Sequence, residues 1–512
     1  MLFNSYGFVF FYLPVAFFGF FGIARSSHRL AALWLVVASL FFYGWWNPKF
    51  VLLLMGSISF NYAMGYAIGH ARISCEKIAL AKRLLVAALV ANLALLGYFK
   101  YTNFFITTAN QLADMNWSLT GIILPLGISF FTFTQIAFLV DTYRGVVREY
   151  SFIHYLLFVT WFPHLIAGPV LHHKQMMPQF ALPATYRPNA ESISVGLTFF
   201  SLGLFKKVVL ADQFALYANP IFSSAEQGGQ LMLFEAWIGA LTYTMQLYFD
   251  FSGYSDMAIG LSRLFNVKLP FNFDSPYKAA NIIDFWRRWH MTLSAFLREY
   301  LYIPLGGNRK GSVHRYVNLL TTMLLGGLWH GAGWNFVIWG GLHGIYLVMN
   351  HGWRKLRGTD VAASGRLRLI GVLLTFVAVV TAWVPFRATS LASARAMLDG
   401  MAGVNGVSLP SSLESYFAPA FGDAVIFHGF WPSGGPSSRD AVYWCAIGLF
   451  IVWFLPNTQQ WLGNFAPSGD SVTNRSRFAW QPYRCQAVLV GVLLCFTLFM
   501  MNRVSEFLYF QF

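Results

Sequence analysis

Charge is what this 512-residue sequence has least of: Asp, Glu, Lys and Arg together make up 11%, against about 25% in an average soluble chain. So few polar groups cannot wet one large globule, let alone the three or four soluble domains that the length would otherwise suggest. Cysteine is almost missing. Cys75, Cys445, Cys485 and Cys495 are scattered and form no CxxC or CxxH pair, which excludes a disulfide framework and argues against a zinc site. There is no Walker-type loop and no Gly-x-Ser-x-Gly elbow, so neither P-loop chemistry nor a covalent serine within this chain has support. No internal repeat is visible, and the halves do not look like inverted copies, which weakens a secondary-transporter reading. Disordered, fibrous, nucleic-acid-binding and secreted disulfide-rich classes are excluded together.

What is present is hydrocarbon. Hydrophobic residues make up 57%, and 52 Phe, 24 Tyr and 18 Trp bring the aromatics to 18%, a composition suited to two membrane interfaces. A spanning helix needs about 20 apolar residues. Runs of that kind lie near 7–24, 30–46, 50–69, 84–99, 120–141, 152–171, 194–217, 232–249, 316–331, 334–350, 369–386, 442–456 and 486–502, some of them short enough to be re-entrant. The expectation is an all-α polytopic membrane protein. The first run reads as a retained anchor rather than a cleaved signal.

The net charge of +15 is then topogenic: Lys and Arg hold loops inside and meet anionic membrane lipids, and nucleic acid is not expected as a partner. Arg25 and Arg29, the group Arg72, Lys77, Lys82 and Arg83, the cluster from Arg354 to Arg368, and Arg475, Arg477 and Arg484 can all face the cytoplasm. Both termini and a Gly-, Ser- and Pro-rich stretch at 387–441 then lie outside. The division expected is a core at 1–386, the external region 387–441 and C-terminal spans at 442–512, in the inner membrane of a bacterium.

Polar residues at membrane depth are costly and mark candidate sites. Tyr248, Asp250, Ser252, Tyr254 and Asp256 cluster at the end of one apolar run, where Gly253 would let the helix break. They either line a cavity or end a helix that Asp256 caps. From Asp284 to Ser294, Trp286, Trp289 and Leu293 share a helical face while Arg287, Arg288 and His290 turn elsewhere, as in an amphipathic helix lying in the interface. Its arginines, with Arg309 and Lys310 after Gly306-Gly307, either snorkel to lipid or grip a phosphorylated ligand. Between Leu324 and Gly344, Trp329, His330, Asn335 and His343 stand among glycines and tryptophans with no charge at all. Two histidines in that setting suit proton transfer, and without a carboxylate or cysteine beside them a metal site is not expected.

These stretches, with the opening Met-Leu-Phe-Asn-Ser, Leu124–Phe133, Phe162–Pro169, Gln246–Gly260, Phe285–His290 and Gly327–Gly331, resemble the membrane-bound O-acyltransferase superfamily. The resemblance covers roughly residues 1–390 and is strongest to the bacterial branch that O-acetylates alginate and peptidoglycan; the teichoic acid D-alanyl exporter is a cousin. It implies a bundle of about 11 transmembrane helices, with re-entrant and interfacial helices, around a central tunnel. It also implies acetyl-CoA as acyl donor with no permanently bound cofactor, a polysaccharide acceptor, and a periplasmic acetyl-transfer protein as partner. His330, in the family's Trp-His-Gly pattern, would be the catalytic base, and His343 matches a second histidine of this branch. Asn335 or a helix-end N–H could hold an oxyanion. The region after about 390 matches no particular member, which leaves the acceptor open. A transporter or flippase, or a scaffold of a polysaccharide secretion complex, is the rival reading.

Overall fold

The structure is a computed structural model that describes residues 1–74, 76–147, 151–358, 365–421, 425–427, 437–465, 468, 479–481, 483–501 and 507–508. Cys75, Arg475 and Arg477 lie outside the described residues. The chain is helical almost throughout, and its contacts divide it into two compact units. The first comprises Met1–Leu204, Tyr254–Asn272 and Thr458–Phe510; the second comprises Phe205–Gly253, Phe273–Asn457 and Gln511–Phe512.

The first unit begins with α1 (Leu13–Ala24), α2 (His28–Gly44), α3 (Lys49–Gly69), α4 (Ile78–Leu96), α5 (Thr102–Ala113), α6 (Ile128–Tyr143), α7 (Phe152–Thr160), α8 (His173–Phe180) and α9 (Ala190–Phe205). Ser27 starts α2 by accepting the Leu30 N–H, and Ser151 starts α7 by accepting the His154 N–H, each satisfying an otherwise orphaned donor. Helices α3, α4 and α6 close over Ile68, Ala81, Leu85, Ala88 and Leu139. There Asn61 and Asn92 exchange amide hydrogen bonds of 3.1 and 2.7 Å, the polar joint that apolar helices use when lipid gives them no other reason to associate.

The second unit holds α10 (Asp212–Glu226), most of α11 (Leu233–Leu264), the short α12 (Ile282–Trp286) and α13 (Met291–Leu297), the hairpin of α14 (Ser312–His330) and α15 (Trp334–Arg357), then α16 (Gly365–Arg387), α17 (Leu391–Met401), α18 (Glu414–Phe421) and α19 (Ser438–Phe454). A two-residue parallel pair, β1 (Val407–Ser408) with β2 (Val425–Ile426), joins Val407 to Val425. The chain then returns to the first unit through α20 (Thr458–Trp461) and α21 (Arg484–Met500). Among the described residues, Lys49–Ile73, Ile78–Ala113, Ala190–Glu226 and Gly365–Arg387 are long and apolar enough to cross a membrane, and Phe8–Ala24, His28–Gly44 and Arg484–Met500 are shorter apolar helices. The protein is an all-α, multi-pass membrane protein.

Several apolar runs fold otherwise than their composition suggests. The run at 120–141 is helical only from Ile128, because Gly127 turns the chain at φ +71° against the backbone of Leu165. The run at 152–171 ends its helix at Thr160, and beyond it Trp161 donates to Ser262 Oγ at 2.9 Å. The expected break at Gly253 does not occur: α11 runs through it for 32 residues. One interior glycine costs a helix about 1 kcal/mol, less than the burial of a long helix with its polar side chains paired gains.

One of those pairings carries charge. A π-helical turn, Lys206–Ala211, places Lys207 Nζ 2.7 Å from Asp250 and 2.9 Å from Asp212. Lys207 is 4% exposed and Asp250 1%. Removing one member of a buried pair costs about 3–5 kcal/mol, because the other charge stays behind. Lys207→Met is therefore expected to lower the thermal midpoint of the detergent-solubilised protein sharply, and adding Asp250→Leu should recover most of it; a single variant as stable as the parent would refute the pairing.

Candidate active site

The α14/α15 hairpin is the frame. Its helices approach at Gly327, where a Cβ would strike the Phe336 carbonyl, and at Gly340, where one would strike the Met323 carbonyl; only glycine permits this closeness. His330 is the last residue of α14, and Asn335 and His343 lie in the first half of α15.

The two histidines pack against one indole. The Trp339 ring centroid is 5.0 Å from His330 and 4.9 Å from His343, edge-on to both. Trp329 packs at 4.9 Å and Phe386 at 5.4 Å from His330. His290 lies 6.5 Å from His330 and 4.8 Å from Phe251. His290 is fully buried in a left-handed conformation, φ +43°, and burial pushes its imidazole down to about 3, so it is neutral. That left-handed residue corrects the expectation of one continuous amphipathic helix over 284–294: the segment is two short helices with His290 as the joint. Asn281 starts the first by accepting the Asp284 N–H at 3.0 Å.

On the α12–α13 side, next to this cluster, lies a cavity of about 890 Å³. Arg287, Arg298, Arg309, Arg315 and His351 line it, with Trp286 among the apolar wall. Asn318 fixes the cavity's loop by donating to the Gly307 carbonyl at 3.0 Å, and Arg315 hydrogen-bonds His351. None of the four arginines is in an ion pair with a described carboxylate. Four guanidiniums without counter-charge suit a polyanion such as a phosphate group.

The hairpin connects cavity and histidines. On α14, Arg315, Leu319 and Met323 line the cavity, and the same face continues seven residues beyond Met323 to His330. On α15, His351 and Leu347 line it, and His343 is one turn further on. Trp286 belongs both to the cavity wall and to the surroundings of His343, at 5.1 Å.

The remaining expected site residues separate. Arg288 does not join Arg287: it pairs with Asp284 at 2.9 Å and donates to the Asp274 carbonyl at 3.2 Å. Lys310 is exposed beside Gly306. Asn335 donates to the Ala388 carbonyl at 2.6 Å, a tie between elements that uses one of its two amide hydrogens. Asp250 is bound to Lys207. Ser252 Oγ is buried without a hydrogen-bond partner among the described residues. Tyr248 packs on Tyr277 at 5.3 Å and near Trp289 at 6.4 Å. Tyr254 and Asp256 belong to the first unit. There Tyr254 stacks on Phe3 at 4.8 Å, and Asp256 accepts the Thr458 hydroxyl at 2.7 Å, which corrects its reading as a helix cap. Sequence reasoning missed Arg298, Arg315 and His351, although a hairpin drawn about Gly331–Gly333 would have set Arg315 opposite His351.

The family described as MBOAT, membrane-bound O-acyltransferase, matches residues 142–384, a range that holds the cavity and His290, His330 and His343. Over the whole of this chain and 98% of the relative, the sequence is 42% identical to a peptidoglycan O-acetyltransferase of Helicobacter pylori. The chain belongs to the membrane-bound O-acyltransferase family. It is 43% identical, over 78% of itself and 75% of the relative, to a protein of Pseudomonas aeruginosa named probable alginate O-acetylase. A teichoic acid D-alanyltransferase of Streptococcus thermophilus is 29% identical over 51% of this chain and 68% of that one. The protein is thus an acyltransferase of the O-acetyltransferase branch, and the full-length alignment takes in the region after about 390 that motifs alone leave unmatched.

Proposed function

We propose that this acyltransferase moves acetyl groups from cytoplasmic acetyl-CoA towards a glycan outside the inner membrane of a bacterium, with His330 as general base. The observation that carries the reading is the arginine cavity, without a described carboxylate to balance it, from which both hairpin helices run a face towards His343 and His330. The arginines take the donor's phosphates, and the thioester end lies towards the histidines. Arg315 to His330 is fifteen residues of helix, about 22 Å, a span that suits a long donor arm. Arg354, Lys355 and Arg357 end α15 near His351, and the positive-inside rule puts that end in the cytoplasm.

His330 removes the proton of the acceptor hydroxyl as its oxygen attacks the thioester carbonyl. The thiolate leaves, and the imidazolium returns the proton to it. The aromatic surroundings keep water from the thioester. The wider architecture is a bundle of about 11 spanning helices, with re-entrant and interfacial segments, around a tunnel joining the two faces. A periplasmic acetyl-transfer protein receives the group, and the 387–441 region is its docking surface. Peptidoglycan is the favoured acceptor, because the relative matched from end to end is named for it.

Inverted membrane vesicles loaded with peptidoglycan fragments and the periplasmic partner test this directly. Given radiolabelled acetyl-CoA on the exposed cytoplasmic face, they should accumulate alkali-labile label on the glycan. Labelling no greater than in vesicles lacking the protein would overturn the proposal.

A further inference from the structure

Both ring nitrogens of His343 are buried without a hydrogen-bond partner among the described residues, and the side chain is 0% exposed. Leaving a buried polar group unsatisfied costs about 1–3 kcal/mol, so a fold that keeps one generally has a use for it. Five rings hold the imidazole: Trp339 at 4.9 Å, Trp286 at 5.1 Å, Tyr346 at 5.9 Å, and Phe285 and Trp383 at 6.0 Å. None of these neighbours carries a charge. An imidazolium so enclosed would be costly, so this ring is a neutral one with a single N–H to donate.

We propose that His343 is the oxyanion donor of the acyl transfer, and not a second base. The proposal rests on the acyl-thioester reading of the arginine cavity. When the acceptor oxygen bonds to the thioester carbon, the carbonyl electron pair moves onto its oxygen, and the His343 N–H donates to that oxygen. Collapse of the adduct restores the C=O and breaks the C–S bond, and the thiolate takes the proton held by His330. His343 keeps its own proton throughout. Position supports the assignment: His343 continues the cavity-lining face of Leu347 and His351, and Trp286 joins the cavity wall to its ring. A donor fixed by packed rings pays no reorganisation when charge develops, which is where such groups gain their effect. Asn335, the other candidate, has one of its two amide hydrogens committed to Ala388, whereas neither His343 nitrogen is engaged by a described residue.

Two variants separate donation from packing. His343→Phe keeps an aromatic ring in the cage and removes the N–H; His343→Gln restores an N–H but cannot act as a base near neutral pH. With acetyl-CoA as donor, His343→Phe should lower kcat about 10²–10³-fold with KM for acetyl-CoA nearly unchanged, and His343→Gln should retain kcat within about tenfold of wild type. Wild-type kcat in His343→Phe, or a loss in His343→Gln equal to that in His343→Phe, overturns the assignment. Wild-type protein that consumes no acetyl-CoA would instead sink the donor reading on which it rests.

Discussion

His330→Ala is expected to abolish O-acetylation while the protein still inserts and purifies as a monodisperse species. His330 is the last residue of α14 and packs against the rings of Trp329, Trp339 and Phe386. Losing a general base costs about 10²–10⁴-fold, which puts residual transfer below detection in most assays of glycan acetylation. His330→Gln sharpens the test. The amide keeps hydrogen-bonding capacity and most of the volume but takes no proton, so it should be as inactive as alanine, whereas glutamine at His343 should be tolerated. Both histidines pack against the same indole, and the contrast between their glutamine variants separates proton transfer from hydrogen-bond donation. Retained acetylation in His330→Ala, measured by release of acetate from isolated glycan, would remove His330 from the mechanism. A scaffold or transporter would tolerate both substitutions.

The membrane class, the family and the grouping of Trp329, His330 and His343 were legible in the sequence, because a nearly charge-free stretch with rings and glycines around histidine leaves few other readings; that His290 joins them from the 284–294 segment was not. What was not legible is where continuity breaks. Hydropathy cannot distinguish a spanning helix from an irregular apolar segment: the stretch after Thr160 is buried without being helical, and the one before Ile128 is largely exposed. Periodicity over 284–294 suggested one helix, since a single left-handed residue at His290 leaves no mark on apolar spacing. Neighbouring arginines looked equivalent, yet Arg287 faces the cavity and Arg288 is held by Asp284. Arg315 and His351 are 36 residues apart, and only the antiparallel hairpin brings them together.

That division between the arginines sets the second large effect. Replacing Arg287 and Arg315 together with glutamine should raise the apparent KM for acetyl-CoA on the order of 10²-fold with kcat little changed. Hydrogen bonds to charged groups contribute about 1.5–3 kcal/mol each; for a cavity open to water the lower figure applies, and two such losses multiply to that factor. An effect on KM alone is what loss of uniform binding produces, and it is expected if the arginines meet the donor's phosphates and not the reacting carbon. Arg288→Gln is the control. It should leave KM unchanged and lower thermal stability modestly, because Asp284 loses its partner at a half-exposed site where ion pairs contribute about 1 kcal/mol or less. Salt should act in the same direction as the double variant, raising wild-type KM as the guanidiniums are screened, and should do so far less once both arginines are gone. A double variant with wild-type KM and an undiminished salt response would mean that the donor's phosphates bind elsewhere, and that these side chains serve the lipid surface instead.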